Sequence, residues 1–341
     1  MTEVLYQFQC LTDHAHKKNN MIYICTQPKI VYYAWHLEVM LTNFKSVGIP
    51  DDKIHVLLSV SKDQNDKTNW PETTAMYERL KEKFNTIAFF EYKDTRVMPN
   101  YIPSVIMNAV KQHYQAYPYL QMENVFLHDC DMIFTKPVDF SDLEQDDSCY
   151  VSDSKSFIWS DYILEKGQDL YEDMCDIVGL DYSIPIKHRL HSGGSQYIFK
   201  NTDYKFWQKV ESDSVALFDY FQKSEPLRVQ KNPSYYGIQQ FTAGMWGMLW
   251  NCWYHDLDVK ITPRLDFCWG TDPIEKWSKC DIFHNSGVTY DIGKNHNIFY
   301  KGAYTDKLPY EDVMNTEYNE TFGSFNYTNL IRQVAQNTCL K

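Results

Sequence analysis

An apolar run, Asn124-Val125-Phe126-Leu127-His128-Asp129-Cys130-Asp131-Met132-Ile133-Phe134, delivers two aspartates one residue apart and then turns apolar again, before Lys136-Pro137 closes it. Side chains alternate along a strand, so an extended backbone aims Asp129 and Asp131 to one side and Cys130 to the other. Two carboxylates converging at a strand end make a hard-oxygen site for Mg²⁺ or Mn²⁺. Such a cation can neutralise a departing diphosphate as Lewis acid and template. A D-x-D also occurs by chance as two carboxylates in a turn. What sets this one apart is its apolar flanks, because unpaired charges at a buried strand end are costly.

Upstream, Met21-Ile22-Tyr23-Ile24-Cys25 reads as a buried strand ending at Gln27-Pro28. Val31, Ala34, Leu37, Val39, Leu41 and Phe44 fit a helix over 30–45, stopped by Gly48 and Pro50. A strand over Ile54–Val60, a helix from Pro71 to about Phe84, a strand over Thr86–Phe90, a helix from Pro103 to about Ala116 and a strand over Val125–His128 follow. Ahead of them, a short strand at Val4–Phe8 is expected within a polar lead-in. Strands alternating with helices predict an α/β fold with a parallel, doubly wound sheet, which binds ligands at the carboxyl ends of its strands. The D-x-D follows the fourth strand. Residues beyond 150 are irregular and suit a smaller mixed-sheet half. No Pro-, Gly- or Ser-rich linker divides the chain. The expectation is one unit over 1–340, with a nucleotide-binding half at 20–135 and a donor-sugar and acceptor half at 136–340.

Three segments carry a family likeness: Tyr32-Tyr33-Ala34-Trp35-His36, Ile102-Pro103-Ser104-Val105-Ile106-Met107-Asn108-Ala109-Val110, and Leu127-His128-Asp129-Cys130-Asp131-Met132-Ile133. On these the chain resembles D-x-D-containing nucleotide-sugar glycosyltransferases of the GT-A type, a Rossmann-like sheet fused to a smaller mixed-sheet acceptor half. It looks most like plant hydroxyproline O-arabinosyltransferases and serine galactosyltransferases, and glycosyltransferases of large algal viruses. The resemblance implies Mn²⁺ or Mg²⁺ as cofactor, a UDP-sugar donor, and an acceptor hydroxyl on a glycan, peptide or small molecule.

Asp281-Ile282-Phe283-His284-Asn285-Ser286-Gly287 delivers a histidine into a turn. Imidazole suits Mn²⁺ as a third ligand, and a turn histidine held by hydrogen bonds is the plain alternative. In retaining members of the resembled group a His-x-x-Gly completes the metal site and a later lysine contacts the diphosphate. This implies His284 as third ligand and Lys301, or else Lys294, as the diphosphate contact. The usual Lys-Pro-Trp is Lys301-Gly302-Ala303 here. His191-Ser192-Gly193-Gly194-Ser195-Gln196 matches a Gly-Gly loop beside the donor sugar, since Gly allows close approach and positive φ. Gln196 would then face the anomeric carbon. An ordinary tight turn is equally compatible. Asp153, ending a strand begun at Cys149, is a candidate to hydrogen-bond sugar hydroxyls, and Asp266 or Asp272, flanking Trp269-Gly270, to orient an acceptor hydroxyl. If configuration inverts, Asp266 or Asp153 is the candidate base. By position, Thr26, Gln27, Arg96 and Asn108 are placed near the nucleotide. The aromatic stretch Tyr235–Trp253 reads as a buried helix or an acceptor platform.

The formal net charge of −12, with no basic stripe, argues against a nucleic-acid partner. Nine cysteines at irregular spacing, without a C-x-x-C, argue against a zinc ribbon or disulfide framework. His188 and His191 form an H-x-x-H but lack a third ligand nearby. No run of about 18 apolar residues predicts a membrane span. Met1–Leu5 opens without a signal-like run, so a cytoplasmic location is expected. Two other readings compete with sugar transfer. One is a non-catalytic sugar or nucleotide binder on the same fold. The other is a haloacid-dehalogenase-like phosphatase, which needs its aspartates after the first strand.

Overall fold

The computed structural model describes residues 21–340. The lead-in, with the strand expected at Val4–Phe8, lies outside the described residues. The α/β class and the two-sheet layout are as expected. Strands β1 (Met21–Pro28), β2 (Ile54–Val60), β3 (Ala88–Lys93) and β4 (Asn124–His128) alternate with helices α1 (Val31–Ser46), α2 (Pro71–Lys83) and α3 (Ser104–Ala116). The main sheet has seven strands in the order β3-β2-β1-β4-β7-β6-β8, with β6 at Cys149–Asp153, β7 at Gly193–Phe199 and β8 at Val259–Ile261. The first four are mutually parallel, while β7 runs antiparallel to both β4 and β6. The strand order reverses between β1 and β4, which opens a crevice beyond their carboxyl ends.

Alternation along these strands sorts the core onto two faces. Met21, Tyr23 and Cys25 join Phe126 and α1 on one face. Ile22 and Ile24 join Val125, Leu127 and α3 on the other. That second face is closed by α4 (Tyr204–Lys231) and α5 (Ala243–Tyr254). Both faces are covered, so the parallel strands read as continuous apolar runs rather than as alternation.

A second sheet of three strands has the order β5-β10-β9, with β5 at Met132–Phe134, β9 at Phe267–Trp269 and β10 at Ile282–His284. Its pairing is mixed: β10 is antiparallel to β5 and parallel to β9. The last helix, α6 (Ser324–Gln336), packs on the same core.

Two local differences from the sequence reading have clear causes. Thr86 lies in the turn after α2, bonded to Asp51, and β3 instead runs on to Lys93. β3 is an edge strand whose Glu91 pairs with Lys29 and Lys81, so its polar end did not read as strand. The second difference is at the aspartates. Strand geometry stops at His128, and Cys130 and Asp131 form a turn before β5 begins. The two carboxylates converge through that turn, not through strand alternation.

Candidate active site

The turn between β4 and β5 holds the two aspartates at the β1/β4 crevice. The pairing of β5 with β10 sets His284 opposite Met132, next to Asp131, and the Asn285 amide donates to the Asp131 carbonyl at 3.0 Å. His284 Nε2 then lies 3.4 Å from Asp129 Oδ2 and 3.3 Å from Asp131 Oδ1. Ligand atoms of Asp129, Asp131 and His284 all fall within 4.8 Å of one another, the one such group of three or more acidic, His or Cys side chains among the described residues. His188 and His191 belong to no such group.

The Trp269 ring stacks on His284 at 6.0 Å between centroids, and Phe267 meets it edge-on at 5.3 Å. Burial disfavours a charged imidazole here, but Asp131 and Asp129 outweigh it and push the His284 pKa up to about 9. Burial likewise acts to raise the Asp131 pKa. The Lys301 ammonium and His284 reverse that and hold this carboxyl well below the usual range. Lys301 donates to Asp131 Oδ2 directly. Two carboxylates and one imidazole form a donor set suited to a divalent cation. Lys301 supplies the positive charge beside them.

These residues line one end of a cavity of about 730 Å³, a volume suited to a small-molecule site. Thr26, at the end of β1, and Ser286 line it too. So does His36, on α1, one turn beyond Tyr32 and packed against Tyr32 and Trp35. Thr26 Oγ1, both ring nitrogens of His36, His128 Nε2, His284 Nδ1 and Ser286 Oγ are buried with no partner among the described residues. Buried polar atoms normally find partners, so a cluster of unpaired ones around one cavity marks where a polar ligand sits. Burial lowers the His36 pKa to about 3, so its ring faces the cavity neutral.

The sequence-predicted residues divide into two sets. Thr26, Asp129, Asp131, His284 and Lys301 all reach the cavity. Gln27 turns its amide to the Leu57 carbonyl at 3.3 Å, away from the cavity. Arg96 is clamped on Asp94 and the Tyr101 carbonyl, and Asn108 is bonded to Thr95 and Glu211. Both brace the lead-in to α3 and do not line the cavity. Lys294 lies exposed on a short helix at Tyr290–His296, outside the cavity.

The glycine loop departs from expectation. Neither Gly193 nor Gly194 has positive φ; the adjacent Ser195 does, at 75°. A Cβ on Gly193 would come within 2.3 Å of the Ser152 carbonyl, and one on Gly194 within 2.5 Å of the Tyr197 hydroxyl. Protein packing explains both glycines. Ser195, not Gln196, faces the cavity. Gln196 is fully buried on the other side of β7, with its amide unpaired. Asp153 pairs with Lys155, and Asp266 accepts from the Asp153 amide at 3.4 Å. Burial raises the Asp266 pKa. Asp266 sits before β9, at the end of that strand away from His284, and neither carboxylate lines the cavity. Asp272 caps its own turn, accepting from the Trp269 amide and from Lys276.

Sequence reasoning missed His36, and it left open whether the stretch Tyr235–Trp253, which supplies the wall of Gln239, Phe241, Thr242, Gly244, Met245 and Met248, is a buried helix or an acceptor platform. His36 stood inside a quoted aromatic segment whose helical spacing read as core. The other wall is the start of α5, the helix expected in the aromatic stretch, whose first turn points into the cavity.

No family model matches the chain, and no curated protein matches it. Solved structures similar to it include two glycosyltransferases. The apo structure of the WbbM bifunctional glycosyltransferase aligns over 81% of this chain and 47% of its own length, at 11% identity and a TM-score of 0.41. Mouse xyloside xylosyltransferase 1, in its apo form, aligns over 78% of this chain and 97% of its own, at 9% identity and a TM-score of 0.38. The chain thus spans about half the length of the first of these. Identities this low leave the chemistry to be argued from the site. Among the described residues no helix is long and apolar enough to cross a membrane.

Proposed function

We propose that the chain is a metal-dependent glycosyltransferase that moves a sugar from a nucleoside diphosphate donor, UDP most simply, to an acceptor hydroxyl. The observation that carries this reading is the convergence of Asp129, Asp131 and His284, with Lys301 alongside, at the β1/β4 crevice of a doubly wound sheet. Asp129, Asp131 and His284 would hold Mn²⁺ or Mg²⁺, which would offset the diphosphate charge and act as Lewis acid. Lys301 exchanges Asp131 for a phosphate oxygen when the donor enters. Thr26 and Ser286 satisfy their buried hydroxyls on the nucleotide. Ser195 and Gln239 lie on walls able to meet the sugar.

In the transfer step the acceptor oxygen bonds to the anomeric carbon as the bond from that carbon to the phosphate oxygen breaks. The acceptor proton passes to the departing phosphate. Asp153 and Asp266 lie off the cavity, and among the described residues Asp129 and Asp131 are the carboxylates that line it. The site completed by His284 is in keeping with retention of configuration, the departing phosphate serving as base. The same placement is compatible with a protein that binds the nucleotide sugar without turning it over, and UDP release from donor separates the two. The first strand among the described residues, β1, ends in Thr26-Gln27-Pro28 and carries no aspartate, which counts against the phosphatase reading.

Calorimetric titration of UDP, with GDP as control, tests the reading, with and without Mn²⁺, on the parent chain and on Asp131→Ala. Binding that needs Mn²⁺ and vanishes in the variant supports it. Absence of nucleotide binding under every metal condition sinks it.

A further inference from the structure

The cavity has two chemically different ends. One holds the aspartates, His284, Lys301 and the unpaired hydroxyls and ring nitrogens. The other is walled by Ile102, Ile106 and Met107 at the start of α3, with Phe241, Met245 and Met248 at the start of α5. This arm carries no charged side chain. Its two walls are stapled together by Tyr101, whose hydroxyl donates to the Phe241 carbonyl at 3.1 Å and accepts from the Gly244 amide. Arg96 holds the same lead-in from behind, through the Tyr101 carbonyl. The arm is therefore a fixed wall, and two large apolar residues remain in contact with water at its rim: Ile102 is 56% exposed and Phe241 72%. A rigid pair of apolar side chains at the mouth of a binding cavity is stabilised by covering them with an apolar partner. A wholly polar saccharide would lose hydration against such walls without gaining hydrogen bonds.

We propose that the acceptor entering this cavity carries its hydroxyl on an apolar body, an aryl or alkyl group, rather than on an all-polar saccharide. The proposal rests on the transfer reading above for the word acceptor. The apolar preference itself rests on the walls alone. The Asp–His end takes the donor diphosphate, and the methionine- and aromatic-lined arm takes the body that presents the hydroxyl. Methionines adapt to varied apolar shapes, so the arm selects a chemical class more than one contour.

The probes are phenyl and methyl β-D-glucopyranoside, which share a sugar and differ only in the apolar group. Their binding is measured by calorimetry on the free chain and on the chain with Mn²⁺ and UDP. Three variants at exposed positions accompany the parent: Phe241→Ser, Ile102→Ser, and Val97→Ser as a control 96% exposed on the same loop but outside the cavity. The phenyl glycoside should bind about ten-fold more tightly than the methyl one. Phe241→Ser and Ile102→Ser should each erase most of that ratio, and Val97→Ser should leave it intact. A ratio within about two-fold on the parent, or one untouched by both rim variants, overturns the proposal. So does loss of the phenyl preference once UDP and Mn²⁺ are bound, because the nucleobase then occupies the arm. Failure of UDP to bind at all counts against the transfer reading, whereas the phenyl-to-methyl ratio on the free chain still decides the apolar preference.

Discussion

Asp131 and Asp129 differ more than their spacing suggests. Asp131 is buried and shared between Lys301 and His284, whereas Asp129 is partly exposed and meets only the imidazole. Removing the Asp131 charge leaves a buried ammonium and imidazole facing each other. Asp131→Asn should therefore weaken Mn²⁺ binding by about 100-fold or more and also destabilise the fold by about 3 kcal/mol. Asp129→Asn should weaken Mn²⁺ with little loss of stability. Titration of Mn²⁺ and urea unfolding separate the two effects. Lys301 yields a prediction of opposite sign for two ligands. Lys301→Gln removes a cation beside the metal ligands, so Mn²⁺ alone should bind more tightly while UDP with Mn²⁺ binds more weakly. Equal loss for both would refute the exchange of Asp131 for phosphate.

At the scale of elements, β7 and the β2–β3–α3 layer each make a checkable claim. A methyl group on Gly193 collides with the β6 backbone at Ser152. Gly193→Ala should cost about 1–3 kcal/mol in urea unfolding, through strand separation. A variant that kept full stability and lost only donor binding would restore the close-approach role. Between β2, β3 and α3, the Tyr92 hydroxyl lies 2.7 Å from His113 Nδ1, and His113 Nε2 lies 2.9 Å from His55 Nδ1. Two tautomer sets satisfy the row: Tyr92 donates to His113 and His113 to His55, or His55 donates to His113 and His113 to the Tyr92 oxygen. Burial lowers the His55 pKa to about 4 and that of His113 to about 3. Folded, both rings stay neutral below pH 6.5, where the unfolded chain takes up protons. Their contribution is whole above pH 6.5 and is lost as pH falls toward 4 and 3. Urea midpoints at pH 7 and pH 5 should show this loss, and His113→Phe should flatten it.

Across the whole molecule, a ligand that binds only the folded chain stabilises it in proportion to its occupancy. Saturating Mn²⁺ should raise the unfolding temperature of the parent by a few degrees and leave Asp131→Asn unmoved. The whole-molecule view also shows what the sequence could reveal. Strands β1, β2 and β4 were legible because burial on both faces makes them unbroken apolar runs, whereas the half-exposed edge strand β3 was found only in part. The aspartates and His284 were legible because polar residues ending apolar runs are costly without a purpose. Ser195 escaped, because its positive φ sits beside two glycines that seemed the natural place for it. His36 escaped because its helix is buried nearly all round, so no stripe singled it out. The α5 wall was legible only as two open readings, buried helix or acceptor platform, because nothing local tells a buried helix that its first turn borders a cavity. Arg96 and Asn108 were placed by proximity in sequence, but neighbouring side chains claim both.

The cavity draws on residues from Thr26 to Lys301, and that span sets a schedule for synthesis. Chain emerges from a ribosome in order, and β4 has no β7 to pair with until some seventy residues later. Until β10 and Lys301 emerge, Asp129 and Asp131 have neither imidazole nor ammonium to balance them. A nascent chain stopped short of His284 therefore carries two uncompensated carboxylates beside a β5 that still lacks its partner strand. The candidate metal site of Asp129, Asp131 and His284 is therefore complete only as the last fifth of the chain is made.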